Sequence, residues 1–157
     1  MEINKIGFEE TCSIFIETVN HYFGHLTSNP SDTGVPYIKD KLKLEFKDYT
    51  GMISVSGSKK GFIFITGNQG LYGDLIKRFI GVESMNKEDL LDMAGELSNV
   101  IAGNLRETFG SNFIISVPVV FAGNKSDLPL SGNTTPYVIP IQWNNHEANL
   151  VIGIENK

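Results

Sequence analysis

The sequence predicts one α/β sandwich of the α+β type, in which helices pack on a mostly antiparallel sheet of six strands. Three observations lead to this prediction. The hydrophobic patterns follow the order helix, three strands, short helix, long helix and three strands. The chain has 157 residues, which is about the size of one domain. It is 41% hydrophobic and has no linker, repeat or shift of composition, so residues 1–157 are expected to form a single domain.

The first half of the chain begins with a predicted helix over residues 7–23. Its apolar residues recur at steps of three and four: Phe8, Cys12, Phe15, Val19 and Phe23. Residues 41–47 alternate strictly between charged and apolar side chains, which predicts a half-buried strand. Its inward residues are expected to be Leu42, Leu44 and Phe46. Strands over 52–56 and 62–65 follow, and the second is apolar throughout, as expected for a strand that is covered on both faces.

Two further helices come next. A short helix is predicted over residues 68–79, where the first residue is an asparagine that caps it. Four of its residues are expected to point inward: Leu71, Leu75, Ile76 and Phe79. A long helix is predicted over residues 86–109, with Asn86 as N-cap and Asp89 in a capping-box-like spacing. Its apolar residues form one arc of the helix: Leu90, Met93, Ala94, Leu97, Ile101 and Leu105.

The last third of the chain reads as strands. Residues 113–121 predict a strand that is interrupted at Pro118, because proline lacks the N–H that a ladder needs. Residues 122–136 predict a polar loop. Residues 137–143 and 148–154 then predict a closing hairpin, with a four-residue turn between them.

The open face of the long helix carries polar and small residues: Asp92, Glu96, Asn99, Gly103 and Arg106. Glu96 and Asn99 are three residues apart and are therefore neighbours on this face. Gly95, Ala102 and Gly103 add almost no bulk around them. Because a glycine inside a helix costs roughly 0.5–1 kcal/mol relative to alanine, we expect something to come close to the backbone of this helix.

Asn104, in contrast, falls within the apolar arc of this helix. We expect it to be a buried amide with structural hydrogen-bond partners. An ordinary surface helix with a solvated polar face is the other interpretation of the whole pattern.

Residues 96–99 (ELSN), followed by Gly103 and Asn104, match E-x-x-N-x-x-x-G-N. This string resembles the active-site helix of the CheC/CheX/FliY family, phosphatases that act on the phosphorylated chemotaxis response regulator CheY. Residues 92–95 (DMAG) suit the CheX branch. A strand that holds residues 116–118 (SVP) follows the helix, and the order of elements fits that branch over nearly the whole chain.

The resemblance implies a phosphatase that hydrolyses the aspartyl phosphate of a CheY-like response regulator in chemotaxis signalling. It implies that Asn99 holds the attacking water and that Glu96 pairs with the partner's active-site lysine. The partner is expected to hold Mg²⁺, so no cofactor or metal of its own is expected, and no covalent intermediate on this chain. A homodimer through sheet edges is also implied. The residues for helix approach and structural support are expected to be Gly95, Ala102, Gly103 and Asn104.

A partial copy of the motif stands in the first helix, where Glu17 and Asn20 precede Gly24. CheC itself carries two such helices. Here His25 replaces the final asparagine of the motif. We therefore interpret Glu17 and Asn20 as solvated polar residues and not as a second site.

The bulk composition excludes several other classes. The net charge of −5 argues against a nucleic-acid surface. The single cysteine, Cys12, permits no internal disulfide, which indicates a reducing, cytoplasmic location. Neither a signal peptide nor an apolar run of about 18 residues is expected. Residues 124–127 (NKSD) and 48–51 (DYTG) resemble GTPase motifs, but no phosphate-binding loop accompanies them. The three histidines lack metal-binding spacing.

Two alternatives to the phosphatase stay open. One is a non-catalytic adaptor that binds a response regulator through the same helix without changing the lifetime of its phosphate. The other is a dimeric scaffold that acts through its sheet edges.

Overall fold

The computed structural model describes residues 8–26, 31–124, 128, 130 and 133–156. These residues contain three α-helices: α1 (Phe8–Leu26), α2 (Gln69–Ile80) and α3 (Lys87–Phe109). They also contain eight strands: β1 (Asp32–Thr33), β2 (Tyr37–Ile38), β3 (Tyr49–Gly57), β4 (Lys59–Gly67), β5 (Phe113–Ile115), β6 (Val119–Ala122), β7 (Tyr137–Trp143) and β8 (His146–Asn156). None of the helices in this part of the chain has the length and apolar composition of a membrane span.

The strands form one antiparallel sheet in the order β1-β7-β8-β4-β3-β5. In addition, β2 pairs with β7, and β6 pairs with β3. The predicted α+β class with an antiparallel sheet is confirmed, with eight strands instead of six. Five of the predicted strands are present, one of them divided into β5 and β6, and the two-residue strands β1 and β2 are additional.

Helices cover one face of the sheet, and irregular segments cover the other. The main core lies on the helix side, where Ile63 and Ile65 of β4 meet apolar residues of all three helices. A second cluster contains Met52, Phe62, Phe64, Val138 and Val151. Because side chains alternate along a strand, β4 contributes to both clusters. The prediction that this strand is covered on both faces is confirmed.

The predicted strand over residues 41–47 is wrong. Asp40 accepts a hydrogen bond from the backbone N–H of Leu42, with 2.9 Å between Oδ1 and N, and a short 3₁₀ helix forms there. Leu42 is 93% exposed, whereas Leu44 and Phe46 pack against the second cluster. An aspartate that binds a nearby backbone N–H offers the chain an alternative to a ladder. Two of the three apolar residues still pack against the sheet.

The strand after α3 is divided at Pro118, as predicted. Ile115 of β5 lies opposite Val55 of β3, and Val119 of β6 lies opposite Met52. Four steps along the outer strand therefore match three steps along β3, which is the offset of a β-bulge. The bulge lets β3 keep a neighbour along most of its length.

A two-residue turn joins β7 to β8. Asn144 and Asn145 have φ angles of 50° and 64°. A type I′ hairpin turn needs a positive φ at both central residues, and asparagine tolerates this better than most residues. Trp143 lies opposite His146. The hairpin is confirmed, and its turn is tighter than predicted.

Helix α2 forms where it was predicted, but one of its inward residues is wrong. Asn68 occupies the N-cap position without a side-chain bond. Asp48 caps the helix instead, accepting from the N–H of Gln69 at 2.9 Å. Phe79, expected inward, is 48% exposed because the last turn, residues 77–80, lies beyond the elements that cover the rest of α2.

The apolar stripe of α1 is confirmed over its described side chains. Cys12, Phe15, Val19 and Phe23 are buried in the main core. The side chain of Phe8 and the predicted loop residues 125–127 lie outside the described part of the chain.

Candidate active site

Helix α3 begins at the predicted residue, and a serine outside the helix completes its cap. Oδ1 of Asn86 accepts from the N–H of Glu88 at 2.8 Å. The N–H of Asn86 donates to Oγ of Ser84 (3.3 Å), and that hydroxyl donates to Asp89 (2.6 Å). The capping-box-like spacing therefore works through Ser84. The predicted apolar arc is buried: Leu90, Met93, Ala94, Leu97, Ile101 and Leu105.

The candidate site is the exposed face of α3 that carries Glu96 and Asn99. Both side chains are exposed, and their spacing places them next to each other on the helix surface. Asp92 and Arg106 are exposed as well. Gly103 is open to solvent, since a methyl group at its Cα would meet no atom within 4 Å. The Glu96–Asn99 pair presents a carboxylate beside an amide on this face, with free space at Gly103.

The other small residues assigned to this face are packed within the protein itself. Ala102 is 0% exposed, so the expectation that it lies on the open face is wrong. A methyl group at Gly95 would lie 3.2 Å from Cγ1 of Val120 on β6. The edge strand therefore covers this flank of α3. Close packing explains why small residues stand at positions 95 and 102. Of the three small residues, Gly103 has free space around it.

Strand β3 sets the distance between α3 and the sheet. A methyl group at Gly51 would collide with the hydroxyl of Ser98 and the backbone carbonyl of Ala94. Ser98 is buried, and its hydroxyl donates to that carbonyl at 2.8 Å. A glycine inside a strand pattern is a sequence signal for such an approach. The packing directs the opposite side of α3, with Glu96 and Asn99, away from the sheet.

Asn104 lies on the core side of α3 but is only partly buried. The expectation of a fully buried amide is therefore not met. On the helical wheel Asn104 lies about 20° from buried Leu97, at the edge of the core. Its position allows a supporting role for the helix, which stays a prediction.

Tyr22 of α1 is a residue of this region that the sequence did not single out. It is 8% exposed, and α1 packs on α3. Its hydroxyl has no hydrogen-bond partner among the described residues. Burial raises the pKa of Tyr22 well above its usual range, and the negative charge of Glu96 raises it further. The one available signal was its position three residues after Val19 on the apolar stripe of α1.

The partial copy of the motif in α1 is arranged differently. Glu17 is exposed, but Oδ1 of Asn20 accepts a hydrogen bond from the hydroxyl of Ser31 at 2.6 Å. Asn20 thus ties α1 to the segment before β1. The rings of His21 and His25 contact each other edge to face, with 4.3 Å between centroids. This arrangement favours the structural interpretation of Glu17 and Asn20.

The described part of the chain contains no group of three or more histidine, cysteine or acidic side chains that could hold a metal ion. His146 lies 3.3 Å from Asp74, in a separate cluster beside the β7–β8 turn. The two GTPase-like strings have structural explanations where they are described. Asp48 caps α2, and Asn124 accepts from the N–H of Phe46 at 3.3 Å.

Comparison with known proteins gives one family and a consistent set of folds. A family model described as "Chemotaxis phosphatase CheX" matches residues 49–142, which include all of α3. No curated protein matches the chain. A CheC-like protein from Shewanella oneidensis MR-1 is similar in structure, with a TM-score of 0.78 and 22% identity over 99% of this chain and 100% of that chain.

Two further solved structures share the fold. CheX from Vibrio vulnificus has a TM-score of 0.74 and 22% identity over 90% of this chain and 97% of that chain. A CheX–CheY–BeF₃–Mg²⁺ complex from Borrelia burgdorferi has a TM-score of 0.72 and 18% identity over 92% of this chain and 97% of that chain.

Proposed function

The chain belongs to the CheX family, whose model covers more than half of its length, and from this premise we propose that it hydrolyses the aspartyl phosphate of a CheY-like response regulator in chemotaxis signalling. The observation that carries the proposal is the exposed Glu96–Asn99 pair on a helix that the sheet holds in place. Neither side chain is buried. Both are therefore available to a partner that docks on this face.

Asn99 is proposed to position the attacking water. Hydrolysis of an acyl phosphate needs a water in line with the phosphorus, and this is a task of orientation. A carboxamide can accept from the water and donate to a phosphoryl oxygen without changing its protonation state. The exposure of Asn99 allows it to reach a phosphoryl group held on another protein.

Glu96 is proposed to bind the partner's active-site lysine. A charge-assisted hydrogen bond of this kind fixes the register of two proteins as well as adding affinity. Glu96 is exposed and lies one turn before Asn99, so both groups can enter one cleft. Because neither residue acts as a nucleophile in this scheme, no covalent intermediate forms on this chain.

Mg²⁺ belongs to the partner in this proposal. The Borrelia burgdorferi structure contains CheX, CheY, BeF₃ and Mg²⁺ together, which supports a CheY-like partner and a metal in the complex. This chain contributes the amide and the carboxylate. The open position of Gly103 gives the partner room to approach the helix backbone.

The decay of a phosphorylated CheY-type protein from the same organism, with and without this chain, tests the function. We expect faster decay with the chain, and a rate loss of about 10- to 100-fold for Asn99→Ala, equivalent to about 1.4–2.7 kcal/mol. Glu96→Ala should weaken binding as well as rate. Asn112→Ala and Glu17→Ala are matched controls, since both side chains are exposed elsewhere.

The outcomes separate the phosphatase from the adaptor. Wild-type activity of Asn99→Ala would refute the assignment of the water-positioning residue. Binding of the response regulator without any change in phosphate lifetime would refute the phosphatase and establish the adaptor. A loss of activity in Glu17→Ala would indicate that the active site is on α1 instead of α3.

A cytoplasmic homodimer completes the proposal. The β1–β2 edge of the sheet exposes Val35, Tyr37 and Ile38, and it is the edge opposite the one where β6 flanks α3. Pairing of two copies at this edge leaves the face of Glu96 and Asn99 free. Light scattering should give twice the monomer mass, and Ile38→Glu should lower it; a wild-type monomer contradicts the dimer.

A further inference from the structure

Two buried tyrosines of this fold have hydroxyl groups that contact no hydrogen-bond partner among the described residues: Tyr22 and Tyr72. A buried hydroxyl without a partner costs free energy, and such groups are rare in folded proteins. Each therefore calls for an explanation. Their surroundings differ, because burial alone raises the pKa of Tyr72, whereas the charge of Glu96 also acts on Tyr22.

Helix α1, which carries Tyr22, lies on the side of α3 that carries Glu96. On the helical wheel Glu96 and Ser98 lie roughly 100° to either side of buried Leu97. Ser98 faces β3, so Glu96 occupies the flank directed away from the edge strand. Helix α1 packs on α3 and also contacts β7, which lies near the opposite edge of the sheet from β6. The phenol of Tyr22 is thus a buried donor on the helix that packs along this flank of α3.

We propose that Tyr22 is a positioning residue, whose hydroxyl donates a hydrogen bond to the Glu96 carboxylate and holds it ready for the partner's lysine. The proposal rests on the function proposed above. In this proposal the exposed Glu96 side chain turns towards α1, which packs on α3. A carboxylate offers about four acceptor positions on its two oxygens, so the tyrosine and the lysine can bind it together.

The benefit of this bond is a lower cost of docking. An exposed glutamate samples several rotamers, and binding a lysine in one of them costs conformational entropy. A donor fixed in the core restricts those rotamers before the partner arrives. The effect belongs to docking, and the positioning of water by Asn99 is unaffected.

Tyr22→Phe tests the proposal, with Tyr72→Phe as the matched control. Each variant keeps the buried ring and removes one hydroxyl, so urea titrations should show both variants folded, with at most the loss of one hydrogen bond in Tyr22→Phe. Steady-state phosphatase assays should show KM for the phosphorylated response regulator raised about 3- to 10-fold in Tyr22→Phe, the effect of one lost hydrogen bond, with kcat unchanged. Tyr72→Phe should leave both constants unchanged.

The same substitution in a Glu96→Ala background shows whether Tyr22 acts through Glu96. Binding of the response regulator loaded with BeF₃⁻ and Mg²⁺, measured by calorimetry, requires no turnover. We expect Tyr22→Phe to weaken binding in the wild type and to have no further effect in Glu96→Ala. Equal effects in both backgrounds would overturn the proposal and leave Tyr22 with a structural role.

The remaining outcomes keep the two proposals apart. In one outcome, the wild type shortens the lifetime of the phosphate while Tyr22→Phe leaves KM unchanged. This result overturns the role of Tyr22 and leaves the phosphatase proposal standing. A wild type that neither binds nor dephosphorylates response regulators refutes the phosphatase, and the role of Tyr22 is refuted with it.

Discussion

Replacement of Gly103 by alanine separates the stability of α3 from its function. Gly103 lies inside the helix, and a methyl group there would meet no atom within 4 Å. The substitution therefore introduces no clash in the free protein. Alanine is favoured over glycine in a helix interior by roughly 0.5–1 kcal/mol, so the free energy of unfolding should rise by about that amount. At about 2–4 °C per kcal/mol for a chain of this size, calorimetry should detect the shift in Tm.

The same methyl group should impair docking. If a response regulator approaches the backbone of α3 beside Asn99, the added carbon overpacks the interface, and such overpacking costs about 1–3 kcal/mol. KM should therefore rise by about 5- to 140-fold, since 1.4 kcal/mol corresponds to a factor of ten. Gly24→Ala is the matched control, because its site in α1 is also open within 4 Å. It should stabilise the protein without changing phosphatase activity.

Two results would refute this reasoning. A Gly103→Ala variant with unchanged KM would mean that no partner approaches this part of α3, and the glycine would have no docking role. A variant with a lower Tm would mean that the helix is not free at this position. A raised KM in the Gly24→Ala control would attribute the effect to stability or to α1.

Three other predictions follow from the packing. Gly51→Ala should lower the free energy of unfolding by about 1–3 kcal/mol in urea titrations, since the new methyl group collides with the backbone carbonyl of Ala94; wild-type stability would show that α3 can move away from β3. Leu42→Ser should change the free energy of unfolding by less than about 0.5 kcal/mol, as expected for an exposed residue. A loss above about 2 kcal/mol would mean that Leu42 is buried, as in the predicted half-buried strand. Burial raises the pKa of the Cys12 thiol, so little of the reactive thiolate is present at pH 8. A thiol reagent should therefore label the folded protein far more slowly than the urea-unfolded protein. Equal labelling rates would place Cys12 at the surface.

Much of the fold could be predicted because its signals are local. The steps of three and four in α1 and α3 follow from the geometry of a helix, and the same residues are buried in the core. Pro118 predicted a break in the last long strand because proline lacks a donor, and a bulge is found there. The strand predicted from the alternation at residues 41–47 is wrong because the Asp40 carboxylate accepts a hydrogen bond from the backbone N–H of Leu42, where a 3₁₀ helix forms.

The candidate site could be predicted in part for the same reason. Spacing alone placed Glu96 and Asn99 side by side on the exposed side of α3. Spacing could not distinguish Gly95 and Ala102 from Gly103, since all three are small and lie at the margins of the same face. Gly95 lies against β6, Ala102 is buried and Gly103 has free space around it, and only the packing of the elements decides this.

The sequence by itself determined the helices, most of the strands and the exposed pair on α3, because hydrophobic period and helix spacing act between residues that are close in the chain. Only the tertiary structure decided which small residues are open, that Leu42 is exposed and which helix packs beside α3. Tyr22 and Glu96 are distant in the chain, and only the packing of α1 on α3 brings their helices together. Packing between elements depends on the shapes of both surfaces, and no local pattern specifies that pairing.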